Sequence, residues 1–126
     1  MTEEQMSPAK TLAYIQSQVK APKGQFNSFG KYKYRSAEDI LEAVKVVINP
    51  LGYWLTITDQ VVQIGDRYYL KAVVELTNGH NVYKAEAYAR EEDSKKGMDG
   101  SQITGAASSY ARKYALSGLF ALDDTK

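Results

Sequence analysis

Alternating side chains run through residues 67–77, RYYLKAVVELT. The apolar members of the alternation share one face of an extended chain: Tyr68, Leu70, Ala72, Val74 and Leu76. Asn78 and Gly79 follow, and VYKAEAYAR then returns with a second alternation. This order predicts an antiparallel hairpin. Apolar residues at every second position place one face of each strand against a core, and Asn-Gly favours a tight turn between the strands.

A third strand precedes the hairpin. YWLTITD, residues 53–59, has the composition of a strand, and a turn is expected near Gly65 and Asp66, which gives a three-stranded meander. On the returning strand Ala85, Ala87 and Ala89 share one face, so a partner with small side chains can approach closely. The small residues of GAASS in the last helix are such a partner.

Helix signals flank the meander. Ser7 and Pro8 open a helix over residues 7–20. SAED, a capping-box pattern with Asp39 in place of the usual Glu, opens a second helix that ends at Asn-Pro 49–50. The segment between them is expected to be a loop. In the last helix Ser101 is the predicted N-cap and Gly118 the predicted end.

These elements predict an α+β fold, with an antiparallel meander of three or more strands packed against helices. A length of 126 residues fits one domain, residues 1–126, with an N-terminal helix at about 7–20 and a core at about 29–124. No Cys and a single His exclude a disulfide framework and a Cys/His zinc site. Neither a secretory signal nor an apolar run of membrane-spanning length occurs in the sequence, so no membrane contact is expected.

The charges are segregated along the chain although the net charge is only +1. Residues 5–37 hold six bases and no acid, residues 38–93 hold ten acids against five bases, and residues 100–122 hold only Arg112 and Lys113. A basic stretch is typical of a nucleic-acid binder. The alternative is that the segregation is lost on folding, since charge runs are commonly solvated faces.

The segment GAASSYARKYALSGLF, residues 105–120, begins with small residues and then sets two cations between tyrosines. On a helix Gly105, Ser108, Ser109 and Arg112 fall on adjoining ridges, with Lys113 beside them. This low surface would admit a sugar-phosphate backbone whose oxygens accept from hydroxyls and cations. An equally open alternative is a core helix whose two cations extend to water.

Aromatic and basic residues interleave in FNSFGKYKYRS, residues 26–36. Cations along the phosphate backbone and rings that stack on bases are the combination used by sequence-independent single-strand binders. If KYKYR is extended, Lys31, Lys33 and Arg35 share one side, which predicts phosphate contacts. The tyrosines between them share the other side and are either stacking rings or core.

A third cationic group, Arg90 with Lys95 and Lys96, falls at the loop before the last helix and is a further candidate for DNA contact. Its alternative is a solvated loop. Acids in and beyond this loop would suit a magnesium-dependent nuclease: Glu91, Glu92, Asp93, Asp99, Asp123 and Asp124. That signal is weak, and no Ser/His pair with an orienting acid or Walker-type loop accompanies it. We predict no catalysis, metal or cofactor.

Two blocks of the sequence match a known pattern. The stronger pattern is Gln-x-x-Gly-small-small followed by Thr/Ser-Tyr-Ala-Arg-Arg/Lys-Tyr-Ala-Leu. It occurs here as Gln102, Gly105, Ala106, Ala107, Ser109, Tyr110, Ala111, Arg112, Lys113, Tyr114, Ala115 and Leu116. With YKYRSAEDILEAV upstream, the chain resembles the ERF (essential recombination function) superfamily of phage single-strand annealing proteins from about Phe29 to Asp124.

The resemblance implies an ATP-independent protein that coats single-stranded DNA and pairs complementary strands, as a ring or filament. It also implies a fold similar to the annealing domain of the ring-forming eukaryotic recombination mediators. The implied partners are single-stranded DNA, further copies, a phage exonuclease and a host single-strand binding protein, all in the bacterial cytoplasm. Together with the cation patterns, the predicted DNA-binding residues are Lys31, Lys33, Arg35, Arg90, Lys95, Lys96, Ser109, Arg112 and Lys113.

Two features depart from the family pattern. Lys113 stands where many members have Arg, which keeps the charge but loses bidentate phosphate geometry. A C-terminal tail that recruits host proteins is expected to be absent or removed, since the sequence ends at Lys126. A passive single-strand binder is the alternative function, because it would share the basic surface without accelerating strand pairing.

Overall fold

A three-stranded antiparallel sheet organises the fold. The computed structural model describes residues 7–91 and 99–122. In chain order the elements are α1 (Pro8–Gln18), β1 (Gln25–Asn27), β2 (Tyr32–Tyr34), α2 (Ala37–Ile48), a short 3-10 helix (Asn49–Leu51), β3 (Trp54–Ile64), β4 (Arg67–Thr77), β5 (Val82–Arg90) and α3 (Gly100–Leu119). β3, β4 and β5 form the meander in that order, and β1 and β2 form a separate hairpin. The predicted α+β class is confirmed.

The meander follows the predicted alternation. β4 and β5 have the predicted bounds, and Leu70, Ala72, Val74 and Leu76 are buried, whereas Tyr68 at the start of the same face is exposed. β3 continues five residues beyond the predicted strand, because residues 60–64 pair with β4 as far as Ile64 opposite Arg67. The predicted turn lies between these two residues, with Gly65 at a left-handed φ of +64°.

The loop between β4 and β5 contains the predicted Asn-Gly turn in a longer form. Four residues, 78–81, connect the paired Thr77 and Val82. The Asn78 side-chain oxygen accepts from the backbone nitrogens of His80 and Asn81 at 2.9 and 2.7 Å, and Gly79 takes a left-handed φ of +95°. The side chain therefore supplies the hydrogen bonds of this turn.

The predicted caps of α1 and α2 are confirmed. The Ser7 hydroxyl accepts from the backbone nitrogen of Lys10, and α1 ends at Gln18, two residues before the predicted end. At α2, Ser36 and Asp39 form the reciprocal capping box. A hydrogen bond from Ser36 is the main reason that the pKa of the Asp39 carboxyl lies below its ordinary value.

The N-cap of α3 differs from the prediction. Asp99, not Ser101, caps the helix: its carboxylate accepts from the backbone nitrogen of Gln102, whose side chain accepts from the Asp99 nitrogen, both at 2.9 Å. Ser101 lies inside the first turn. The reciprocal pair satisfies two backbone donors at once, which explains why the helix begins at the acid.

The end of α3 also differs from the prediction. Gly118 lies within the last turn, and Ala121 takes the left-handed position at φ +53°. The backbone nitrogen of Leu122 donates to the carbonyl of Ser117 at 2.9 Å, which is the closing bond of a Schellman motif. The helix therefore continues through Gly118 to Leu119.

The core lies between one face of the meander and the three helices. Its buried members include Ile15 and Val19 from α1, Ile40, Val44 and Ile48 from α2, Leu70, Ala72, Val74 and Leu76 from β4, and Leu116, Leu119 and Phe120 from the end of α3. Tyr83 connects α1 to β5 by donating to the Pro8 carbonyl at 2.6 Å. Burial, followed by the neighbouring Tyr53, raises the pKa of Tyr83 to about 12, so this donor keeps its proton at ordinary pH.

Small residues allow α3 to lie close to the sheet, as predicted. The helix packs across β4 and β5, where Ala85, Ala87 and Ala89 form the inward face of β5. The buried stripe of α3 is Ile103, Ala107, Ala111 and Ala115, at a spacing of four. Only Ala107 of the GAASS segment is buried in this stripe, and Gly105 and Ser109 are exposed on the far side of the helix.

The segment between α1 and α2 contains a hairpin that the sequence did not predict. Gln25 pairs with Tyr34, Phe26 with Lys33 and Asn27 with Tyr32, and the turn spans residues 28–31. The Asn27 side chain accepts from the backbone nitrogen of Gly30 at 2.9 Å. Each strand has three residues, too few for a periodic pattern to be recognised.

Candidate nucleic-acid interface

The predicted phosphate ligand Arg112 is held by an acid of β3. Nε and Nη2 of Arg112 donate to the two carboxylate oxygens of Asp59 at 3.2 and 3.0 Å. The Ser108 hydroxyl donates to the same carboxylate at 2.7 Å. Asp59 faces α3 because it lies opposite the buried Ala72 in the register of β3 and β4. One turn of the helix is thus tied to the edge strand of the sheet.

The ionisation of Asp59 follows from these contacts. Burial acts to raise the pKa of its carboxyl, but the hydrogen bonds from Arg112 and Ser108 and the Arg112 charge outweigh burial and hold the pKa below its ordinary value. Asp59 is therefore ionised at neutral pH. Its negative charge offsets the positive charge of Arg112 within the pair.

Lys113 joins α3 to the β1–β2 hairpin. Its Nζ lies 5.9 Å from the ring centroid of Tyr34, within the range of a cation–π contact. The Tyr34 ring in turn lies 6.0 Å from the Tyr32 ring on the same face of β2. Two basic segments that are far apart in the sequence therefore meet at one surface.

The hairpin presents exposed rings and lysines. Phe29 at the turn is 99% exposed, and Phe26 and Tyr32 are also exposed. Lys31 and Lys33 are exposed beside them. Lys33 and its cross-strand neighbour Phe26 lie on the face opposite to the two tyrosines, as the alternation predicted. The core alternative does not hold for Tyr32, which is half exposed.

Arg35 does not reach this surface. It is 6% exposed, and its Nη1 donates to the Ala21 carbonyl at 3.1 Å. The guanidinium therefore connects the segment after α1 to the start of α2. The strand alternation ends at Tyr34, so Arg35 does not continue the side shared with Lys33. This burial does not support the expected phosphate contact.

The remaining predicted residues lie at different places. Ser109 is exposed on α3, next to Lys113. Arg90 ends β5 on the sheet face that points away from α3, because its neighbour Ala89 pairs with the buried Leu70. Lys95 and Lys96 lie outside the described residues.

The acids considered for a nuclease site do not form one in the described ranges. Asp99 is engaged in the cap of α3. Across residues 7–91 and 99–122 no group of three or more acidic or histidine side chains is placed to hold a metal ion. Glu92, Asp93, Asp123 and Asp124 lie outside those ranges. Within the same ranges, none of the helices has both the length and the apolarity that a membrane crossing requires.

Sequence reasoning missed Asp59, although a signal for it was present. Leu55, Ile57 and Asp59 are in phase along β3, so the alternation that buries the first two aims Asp59 at the helix. A charged residue in phase with inward residues requires a partner of opposite charge. Arg112 offered such a charge on the last helix, which was predicted to lie close to the sheet.

Comparisons with known proteins agree with the sequence motifs. The ERF superfamily model matches residues 9–126. The "Essential recombination function protein" of Salmonella phage P22 is 61% identical over 115 residues, which are 91% of this chain and 55% of that protein. The chain thus spans about half the length of this curated relative. No solved structure matches the chain, so the likeness to ring-forming annealing domains stays a prediction.

Proposed function

The chain belongs to the ERF superfamily, and we propose that it binds single-stranded DNA and anneals complementary strands in phage homologous recombination. The contact between Lys113 and Tyr34 carries this proposal. It places the Tyr32–Tyr34 face of the hairpin beside the cationic side of α3, while Lys33 and Phe26 are exposed on the other face of the hairpin. A surface that combines cations with stacking rings suits a flexible single strand, whose bases are free to stack.

The lysines are the main phosphate contacts in this proposal. Lys31, Lys33 and Lys113 attract the backbone as point charges, which suits binding without sequence preference. Phe29 and Tyr32 are exposed and lie within two residues of Lys31 at the hairpin turn, so they are the proposed rings for stacking on bases of the same strand. Ser109 is exposed on α3 one turn before Lys113, so its hydroxyl is available to a phosphate oxygen.

Annealing needs no nucleotide hydrolysis in this mechanism. Base pairing itself is favourable, since stacking in a duplex yields about 1.4 kcal/mol per step. The protein's part is to neutralise the backbones of two strands and to hold one strand extended. The same chemistry requires neither a metal nor a cofactor, in keeping with a non-enzymatic function.

Assembly into a ring or filament belongs to the same proposal. One hairpin and one helix face contact few nucleotides, whereas adjacent copies raise the effective concentration of the next site along the strand. A phage exonuclease would supply single strands, and a host single-strand binding protein would compete for them. Both are proposed partners on the basis of the family.

Salt-dependent binding tests the proposed surface. Lys33→Ala with Lys113→Ala should weaken binding to an oligonucleotide, and two lost phosphate contacts should reduce the slope of log K against log salt by about 1.4. Lys45→Ala with Lys84→Ala is the matched control, since these lysines are exposed on α2 and on the outer face of β5. Equal losses in the two double variants would contradict the assignment of the surface.

An annealing assay separates the proposed function from passive binding. Two complementary oligonucleotides and a dye that fluoresces on duplex DNA report the pairing rate. Acceleration at protein concentrations that coat the strands supports annealing, and binding without acceleration would indicate a passive binder. Incubation of end-labelled DNA with and without magnesium tests the nuclease alternative, which requires metal-dependent shortening of the label.

A further inference from the structure

We infer that Asp59 is an internal competitor of the DNA backbone, which a phosphate group must displace from Arg112. This inference rests on the proposed function and concerns the regulation of the same surface. It assigns a role to an acid that no sequence motif singled out. In this role Asp59 limits the affinity of the free protein for polyanions.

The geometry of the pair carries the inference. Arg112 offers Nε and Nη2 in parallel to two oxygens of one carboxylate, at 3.2 and 3.0 Å. The same fork binds two oxygens of a phosphate. The Ser108 hydroxyl, a second donor suited to phosphate, is also directed at Asp59, at 2.7 Å. Asp59 therefore occupies the Arg112 fork and the Ser108 hydroxyl, two donors that α3 would otherwise offer to DNA.

The Arg112–Asp59 pair is exposed enough for a DNA phosphate to replace the Asp59 carboxylate on Arg112. The side chains of Arg112 and Asp59 are 39% and 25% exposed, so water solvates both charges when they separate. Val61, the next residue of β3 that faces α3, is 62% exposed, so the helix leaves the strand uncovered beyond Asp59. An incoming backbone can thus approach Arg112 from the β3 side.

The charges around Asp59 favour such an exchange. On the sheet face that packs against α3, the other described residues of β3, β4 and β5 are uncharged, and the ionisable ones are Tyr68 and Tyr83. From α3, Arg112 meets Asp59 directly and Lys113 follows it in sequence. A phosphate that displaced Asp59 from Arg112 would therefore meet the Arg112 charge, with Lys113 next to it in sequence, and Asp59 itself would be the one acid on this described sheet face to oppose it.

Asp59→Asn tests the competition. Asn keeps the shape and an acceptor oxygen but removes the charge, so Arg112 becomes available to phosphate. Binding to a single-stranded oligonucleotide at low salt should tighten about fivefold, the factor that corresponds to about 1 kcal/mol for a half-exposed ion pair. Asp66→Asn, in the exposed β3–β4 turn, removes the same charge roughly 23 Å along the strand and is the matched control. Unchanged or weaker binding by Asp59→Asn would overturn the inference.

Arg112→Gln separates exchange from simple repulsion. If Asp59 acts through Arg112, the gain from Asp59→Asn disappears in the Arg112→Gln background. If Asp59→Asn still tightens binding in the Arg112→Gln background, Asp59 only repels DNA, and the proposed exchange on Arg112 is wrong. If neither the unmodified protein nor Asp59→Asn binds DNA, both the inference and the proposed function fail. If both proteins bind DNA with equal affinity, the role of Asp59 as a competitor is rejected and the proposed function stands. Asp59→Thr, which suits a strand, replaces Asp59→Asn if that variant does not fold.

Discussion

Arg112 and Asp59 lie 53 residues apart in the sequence and share a two-point hydrogen-bonded ion pair. The pair ties the middle of α3 to the edge strand of the meander. It also offsets the positive charge of Arg112, a residue of the family motif. As a consequence, the proposed DNA surface depends mainly on the positive charges of Lys31, Lys33 and Lys113.

The Asp59 pair should stabilise the fold in a pH-dependent way. The folded pKa of Asp59 lies below its unfolded value, so the stabilisation is complete above about pH 4 and is lost as the pH falls through the folded pKa. Asp59→Asn should unfold with about 0.5–1 kcal/mol less free energy at pH 7, and this deficit should shrink below about pH 4. Urea unfolding at several pH values measures it. Asp39, whose pKa is also lowered, contributes equally to both proteins. Its contribution therefore cancels when the free energy of unfolding of Asp59→Asn is subtracted from that of the unmodified protein.

Asp99 and Ser101, at the start of α3, should differ in their contribution to stability. Asp99→Ala should lower the free energy of unfolding by about 1 kcal/mol, because a backbone donor of the first turn loses its acceptor. Ser101→Ala should have little effect, since Asp99 already caps the helix. Thermal unfolding of the two variants, followed by circular dichroism, makes the comparison. A larger loss in Ser101→Ala would contradict the observed cap.

Gly105 weakens α3 without a packing reason. It lies within the helix, and a Cβ there would meet no heavy atom within 4 Å. Gly105→Ala should therefore raise the free energy of unfolding by about 0.5–1 kcal/mol. Gly79→Ala should do the opposite, because φ is +95° at that position. Urea unfolding of both variants tests the opposite signs.

The alanine stripe of α3 should tolerate no added volume. Ala111 is fully buried where the helix lies against the sheet, so Ala111→Leu should cost about 1–3 kcal/mol by forcing the two apart. Ser109→Leu adds an equally large side chain to the exposed side of the same helix and should be nearly neutral. If the two substitutions lower the unfolding temperature equally, close packing at Ala111 is not the cause.

Phe29 should contribute to binding but not to stability. It is 99% exposed, so Phe29→Ala removes almost no buried surface and should leave the unfolding temperature unchanged. The loss of one stacked base should weaken binding to a single strand by about 1–3 kcal/mol. Fluorescence anisotropy with a labelled oligonucleotide measures this change. Val46→Ala on α2, an exposed apolar residue away from the hairpin, is the control and should bind normally.

Local patterns were sufficient for most of the architecture. The alternation in residues 67–77 predicted β4 and its inward face, and Ser36 with Asp39 predicted the start of α2. These features depend on neighbours within a few residues, so the sequence records them directly. The family motif in α3 likewise predicted the ERF superfamily, which the comparisons confirm.

Contacts between distant segments were decided by folding. Residue type marked Arg35 and Arg112 alike as surface cations, yet one is buried against the Ala21 carbonyl and the other is paired with Asp59. The free energy of a charge depends on which groups surround it in space, and a linear pattern does not contain that information. The packing of α3 against the meander brings Asp59 to Arg112, and the position of the hairpin brings Tyr34 to Lys113.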